Sequence, residues 1–217
     1  MLLCIILFNG LLSVTARWEG ALDSLLLVVP STAKENDQYL SEVSDNLYRG
    51  TFSDQKEIFR LLIDNTMRYS DIFGDTTNKV KALCVLGHYY VKVGSNELAI
   101  DAFKNASKLL SDSPSNIDLW YTVNKGLANV YTYMGYFRVS NEYNINLIKV
   151  NDSLGFEVEN FAPTINMALN FVSMGSIEMA NKYYFKALNI GIPDSHPKKD
   201  YYSAILNYNF AQFYLQQ

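Results

Sequence analysis

Few residues in this chain have the type and spacing that bond-making chemistry needs. It holds two histidines, His88 and His196, and two cysteines, Cys4 and Cys84. They spell no zinc motif, and no HExxH, glycine-rich phosphate loop, Gly-x-Ser-x-Gly elbow or paired cysteine occurs. His196, between Ser195 and Pro197, reads as a solvated loop residue. His88, behind Gly87 on a helix, reads as a surface or groove residue. Cys84 reads as a small apolar filler. Asp75 and Asp101 have no titratable partner at useful helical spacing. These residues predict no enzyme, no cofactor and no metal. The chemistry that remains is that of holding. Asn129, Asn166 and Asn209 each offer a donor and an acceptor, and Lys125 adds a cation.

The elements that must position these groups are helices. Of 217 residues, 49% are apolar and 18% charged, which excludes a disordered or fibrous chain. Only five prolines interrupt it. A net charge of −4 with no basic tract argues against nucleic acid as partner. No segment alternates as a strand does. Helices are expected over about 18–29, 34–48 and 53–73, the third capped by Ser53, with Asp54 and Glu57 in its first turn. Pairs follow near 76–93 and 96–110, 116–134 and 136–151, and 158–174 and 176–190, with a last helix from about Lys198. Turn chemistry marks Ser111 to Pro114 and Gly191 to Pro197.

A period runs through these helices. Leu83, Leu86, Gly87 and Tyr90 precede Gly94, then Ala99, Phe103 and Ala106. Leu127, Ala128 and Tyr131 precede Gly135. Met167, Ala168 and Phe171 precede Gly175, then Ala180, Tyr184 and Ala187. Phe210, Ala211 and Tyr214 open a fourth copy that stops early, and Gly50 with Phe59 marks a degenerate one. The small residues allow helices to cross closely, and the aromatic ones fill the groove between them. In the second copy, Ser140, Asn144 and Leu147 stand where Ala, aromatic and Ala are expected. A small rotation would let Tyr143 and Ile145 cover for Asn144.

This pattern resembles the tetratricopeptide (TPR) repeat, in a longer variant whose turn glycines fall about 40 residues apart. The resemblance implies an all-α fold, an α-solenoid of stacked antiparallel helix pairs forming a superhelix. It also implies a protein or peptide partner held in a concave groove lined by the first helix of each pair. The groove positions it implies include Lys81, Cys84 and His88, then Lys125 and Asn129, then Ile165, Asn166 and Leu169, and finally Tyr208, Asn209 and Gln212. Of these, Lys125, Asn129, Asn166, Asn209, His88 and Tyr208 are the candidates to contact a ligand. Lys125, Asn129 and Asn166 resemble part of the two-carboxylate clamp of chaperone-binding TPR domains. Ile205 and Asn209 stand where that clamp has further basic residues, so it is incomplete.

The ends carry further expectations. Leu2 to Val14 is too short for a membrane span, and Val14-Thr15-Ala16 offers a cleavage site. Residues 1–16 therefore read as a signal peptide, 17–75 as N-terminal helices with a degenerate repeat, and 76–217 as TPR-like repeats with the last one truncated. The segment Ala21 to Leu26 is similar to the opening of exported bacterial TPR proteins, many of them sensor regions in signal transduction. An exported, extracytoplasmic (periplasmic) scaffold is the expected function. The alternative is the truncated N-terminal sensor region of a histidine kinase or transcriptional regulator. The last helix is apolar on more than one stripe (Leu206, Tyr208, Phe213 and Leu215 among others), which predicts self-association through that helix or a missing continuation.

Overall fold

A computed structural model describes residues 21–49, 56–111 and 116–215. The leader, Gly50, the Ser53 cap and the turn at Asp112–Pro114 lie outside the described residues. The fold is all-α, built from antiparallel helix pairs, with no strand among the described residues. In chain order α1 is Ala21–Leu26, α2 Ala33–Arg49, α3 Lys56–Ile72, α4 Thr76–Lys92 and α5 Asn96–Ser111. Then come α6 Ile117–Tyr133, α7 Phe137–Leu154, a 3-10 turn Glu157–Asn160, α8 Phe161–Ser173, α9 Ile177–Leu188 and α10 Lys199–Leu215. Two compact units divide within α4, between Tyr89 and Tyr90.

In the first unit α2, α3 and the body of α4 share a core that includes Val43, Phe59, Leu62, Ile63 and Val80. Polar side chains tie these helices as well. Asn36 Nδ2 donates to the Thr66 carbonyl at 3.2 Å and to Ser70 Oγ at 3.0 Å. Asp75 is the cap of α4: its Oδ1 accepts from the Asn78 backbone N–H at 2.9 Å. That role explains the lone aspartate the sequence left without a partner.

In the second unit each helix packs on the next along the chain, from α5 to α10. Short turns reverse direction after α6 and α8, and the same geometry closes both. Gly135 and Gly175 have φ of 77° and 70°. The next backbone N–H, on Tyr136 or Ser176, donates to the carbonyl five residues back, Tyr131 or Phe171, at 2.9 Å. This left-handed closure satisfies carbonyls that the helix end leaves open, and glycine adopts it without strain. Ala99, Phe103, Ala106, Ala128, Ala168, Ala180, Tyr184 and Ala187 are all buried, as the repeat pattern requires.

The second copy departs from expectation in an informative way. Tyr131 stacks on Tyr143 with centroids 5.7 Å apart, and Phe171 stacks on Tyr183 at 5.2 Å. Both pairs join the two helices of a hairpin at the same repeat positions, so α7 keeps its register and is not rotated. Ile145 is exposed, while Ser140, Asn144 and Leu147 occupy the buried positions. Their polarity is met by hydrogen bonding rather than by replacement. Ser140 Oγ lies 2.8 Å from Thr132 Oγ1 and accepts from Asn170 Nδ2 at 2.9 Å. Asn170 Nδ2 also donates to Asn141 Oδ1 at 2.8 Å, and Asn144 Nδ2 to the Ser140 carbonyl at 3.0 Å. Asn144 Oδ1 alone in this network is buried without a donor.

Candidate functional site

The face that brings most of the expected groups together is built on α6. Tyr121, Lys125 and Asn129 recur at every fourth position and so form one stripe. The Tyr121 hydroxyl donates to the Glu159 carbonyl at 3.3 Å, which ties this stripe to the 3-10 turn. Asn166 Nδ2, from α8, donates to Asn129 Oδ1 at 3.4 Å. From the first turn of α10, Tyr202 stacks on Phe161 at 4.5 Å, and His196 stacks on Tyr202 at 5.8 Å. His196 is thus half-buried and not the solvated loop residue expected. Its Nδ1 accepts from the Lys198 backbone N–H at 3.2 Å, which fixes the start of α10.

The electrostatics of this face are governed first by lost hydration. Lys125 is exposed as a residue, yet its pKa is held below the ordinary lysine value. Loss of hydration is the largest cause, the Lys198 cation adds to it, and Glu159 opposes it. Neither lysine forms a side-chain ion pair among the described residues. The Tyr202 phenol is pushed up to about 12, mainly by burial and further by Glu159. It therefore stays protonated and can donate a hydrogen bond. An anion near Lys125 would favour its charged form, and the Asn129 amide lies one turn along α6, in contact with Asn166.

The remaining expected site residues fall elsewhere. Asn209 is half-buried and donates to the Ile205 carbonyl of its own helix at 2.9 Å. It shares the repeat position of Asn166, two residues before the small alanine, whereas Asn129 follows its alanine by one. Tyr208 is exposed on α10 at the repeat position that Ile165 fills on α8, where Ile165 is buried. His88 is half-buried on α4, in the first unit. Of three other groove positions, Cys84 and Ile165 are buried, which corrects them, and Lys81 is ion-paired. Cys84 is buried, and burial pushes its thiol up to about 12. Lys81 Nζ is bound to Asp37 Oδ1 at 2.7 Å. Ile165 belongs to the core.

A second feature escaped the sequence reading. Arg138, Asn141, Glu142 and Ile145 of α7 face Phe171, Met174 and Ser176 across an open recess of about 420 Å³. Its lining mixes apolar side chains with the polar Asn141 and both charges, Arg138 and Glu142. The signal for it was the charged pair one turn apart on α7, beside an asparagine in the buried stripe. Among the described residues no three potential metal ligands gather, and no helix is long and apolar enough to cross a membrane.

No family model matches the chain, and no curated protein matches it by sequence. Solved structures do match. The crystal structure of BtubC (BKLC) from P. vanneervenii is similar with a TM-score of 0.76 at 13% identity, over 90% of this chain and 80% of that one. MamA from AMB-1 is similar more loosely, with a TM-score of 0.48 at 17% identity, over 82% of this chain and 89% of that one. The BtubC likeness is one of fold, an arrangement of consecutive helices.

Proposed function

We propose that this chain is an exported, non-enzymatic scaffold of the tetratricopeptide kind that holds an extended peptide along the α6–α8 face. The observation that carries the reading is the contact between the amides of Asn129 and Asn166, one helical turn from Lys125. Two amides with spare donors and acceptors suit a peptide main chain. Two cations without ion-pair partners suit an acidic side chain or a terminal carboxylate, through charge-assisted hydrogen bonds. Lys198 supplies the second cation that the incomplete clamp pattern lacked, from the loop before α10 instead of from within it. Export rests on the leader-like N-terminus alone.

The test is a selection of random peptides displayed on phage, followed by calorimetry with the enriched sequences. Enriched peptides carry Asp, Glu or a free C-terminus, and Lys125→Gln and Asn166→Ala each weaken them about tenfold, the loss of roughly one charge-assisted hydrogen bond. Affinity also falls as pH rises, beginning earlier than an ordinary lysine would dictate, because Lys125 loses its charge at a lowered pKa. Peptides without acidic character, or affinities untouched by both substitutions, would sink the reading.

A further inference from the structure

The recess beside α7 is lined by side chains with bonding capacity left over. Asn141 is only 7% exposed, and its Oδ1 accepts from Asn170 Nδ2 at 2.8 Å. The same Asn170 Nδ2 donates to Ser140 Oγ, so Asn141 must turn its oxygen, not its nitrogen, towards that network. Its Nδ2 is left for the recess that Asn141 lines, and it donates to no group among the described residues. A buried amide N–H is costly to leave without an acceptor, and the recess is where an acceptor can reach it.

Two opposite charges line the same recess. Arg138 and Glu142 stand one helical turn apart on α7, the spacing at which side chains share a helix face. Both are exposed, and neither forms a side-chain ion pair among the described residues. Ser176, the N-cap of α9, makes no side-chain cap hydrogen bond, so its hydroxyl is available as well. The rest of the lining is apolar: Ile145, Phe171 and Met174. The volume, about 420 Å³, falls within the roughly 300–1,000 Å³ of small-molecule pockets. A ligand that suits this set carries an anion for Arg138 and the Asn141 N–H, a cation close by for Glu142, and an apolar group for the remainder. An α-amino acid carries all three on one carbon. A peptide does not, because its internal residues bear neither backbone charge and each terminus bears only one.

We propose that this recess binds a free α-amino acid with an apolar side chain, its carboxylate accepting from Arg138 and Asn141 Nδ2 and its ammonium donating to Glu142. The experiment titrates the chain with L-leucine by nuclear magnetic resonance, following the side-chain amide signals of Asn141. N-acetyl-leucine, leucinamide and glycine are titrated beside it, the first two lacking one charge each and the last lacking the side chain. Arg138→Gln and Glu142→Gln change exposed side chains, and circular dichroism checks that their helices persist. Lys104→Gln, an exposed position on α5, is the control. Leucine is expected to saturate at millimolar concentration or below and to shift the Asn141 amide signals. Each of the three analogues, and leucine on each recess variant, is expected to bind roughly tenfold more weakly or worse, as loss of one charge-assisted hydrogen bond or of the apolar contact implies. The control binds leucine as the unaltered chain does. No saturable binding of leucine overturns the proposal, as does binding that leaves the Asn141 amide unmoved or is indifferent to both substitutions. N-acetyl-leucine binding as well as leucine overturns it in favour of a peptide carboxyl terminus, and leucinamide doing so in favour of an amino terminus. Glycine binding equally well overturns the apolar assignment.

Discussion

Single residues in this chain are fixed by close packing, and the tightest positions yield the sharpest expectations. Ala180 is fully buried beside Tyr184 and Ala187 in the α8–α9–α10 core. Adding three carbons there forces neighbours off their rotamers. Ala180→Leu is therefore expected to cost roughly 1–3 kcal/mol, read as a lowered denaturant midpoint. An unchanged midpoint would mean the repeat register is misplaced. Cys84 offers a chemical check on the first unit. Its thiol, raised by burial from 9.0 to about 12, stays protonated when folded but ionises near pH 9 once unfolded. The folded state loses this contribution as pH rises from about 9 towards 12. Native Cys84 should resist alkylation at pH 8 and react fully in denaturant, as peptide mass mapping would reveal. Rapid native alkylation would contradict its burial.

At the scale of elements, the helices and their order were legible because three signals coincide: apolar periodicity, a small residue at each crossing and a glycine at each turn. What was not legible is the placement of polar groups inside the stack. Asn170 occupies the repeat position of Val130 on α6, yet both are buried. An amide is acceptable there because Ser140 and Asn141 of α7 accept from its Nδ2 and Thr132 of α6 donates to its Oδ1. Such pairing is a property of neighbours in space, which spacing along one helix does not encode. Gly126 was missed for a related reason, since it lies outside the small-residue register. A methyl group there would collide with the Phe103 ring, which is fully buried. Gly126→Ala and Gly135→Ala should therefore both destabilise, by different means. The first overpacks the α5–α6 contact at roughly 1–3 kcal/mol, and the second strains a left-handed turn at roughly 1–2 kcal/mol. Phe103→Leu, which withdraws the ring, should offset much of the Gly126→Ala cost and none of the Gly135→Ala cost. Thermal melts of the three single and two double variants would test this, and equal rescue of both would refute the assignment.

For the whole molecule, sequence carried the architecture further than the site. The repeat names Lys125, Asn129 and Asn166 as groove positions, and Asn166 donates to Asn129 although the two stand at different repeat positions. It failed where a loop contributes. Lys198 precedes α10 and follows no repeat rule, so its approach to Lys125 emerges only from the fold. Tyr208, a groove candidate at the repeat position of the buried Ile165, is exposed on α10. The account's central claim is that a peptide lies along the α6–α8 face. The most direct test is to follow backbone amide signals of the chain by nuclear magnetic resonance while titrating a peptide from the phage selection. The account predicts shifts clustered at Tyr121, Lys125, Asn129, Asn166 and Lys198. Shifts confined to the recess at Arg138, Asn141 and Glu142, or scattered without a cluster, would contradict it.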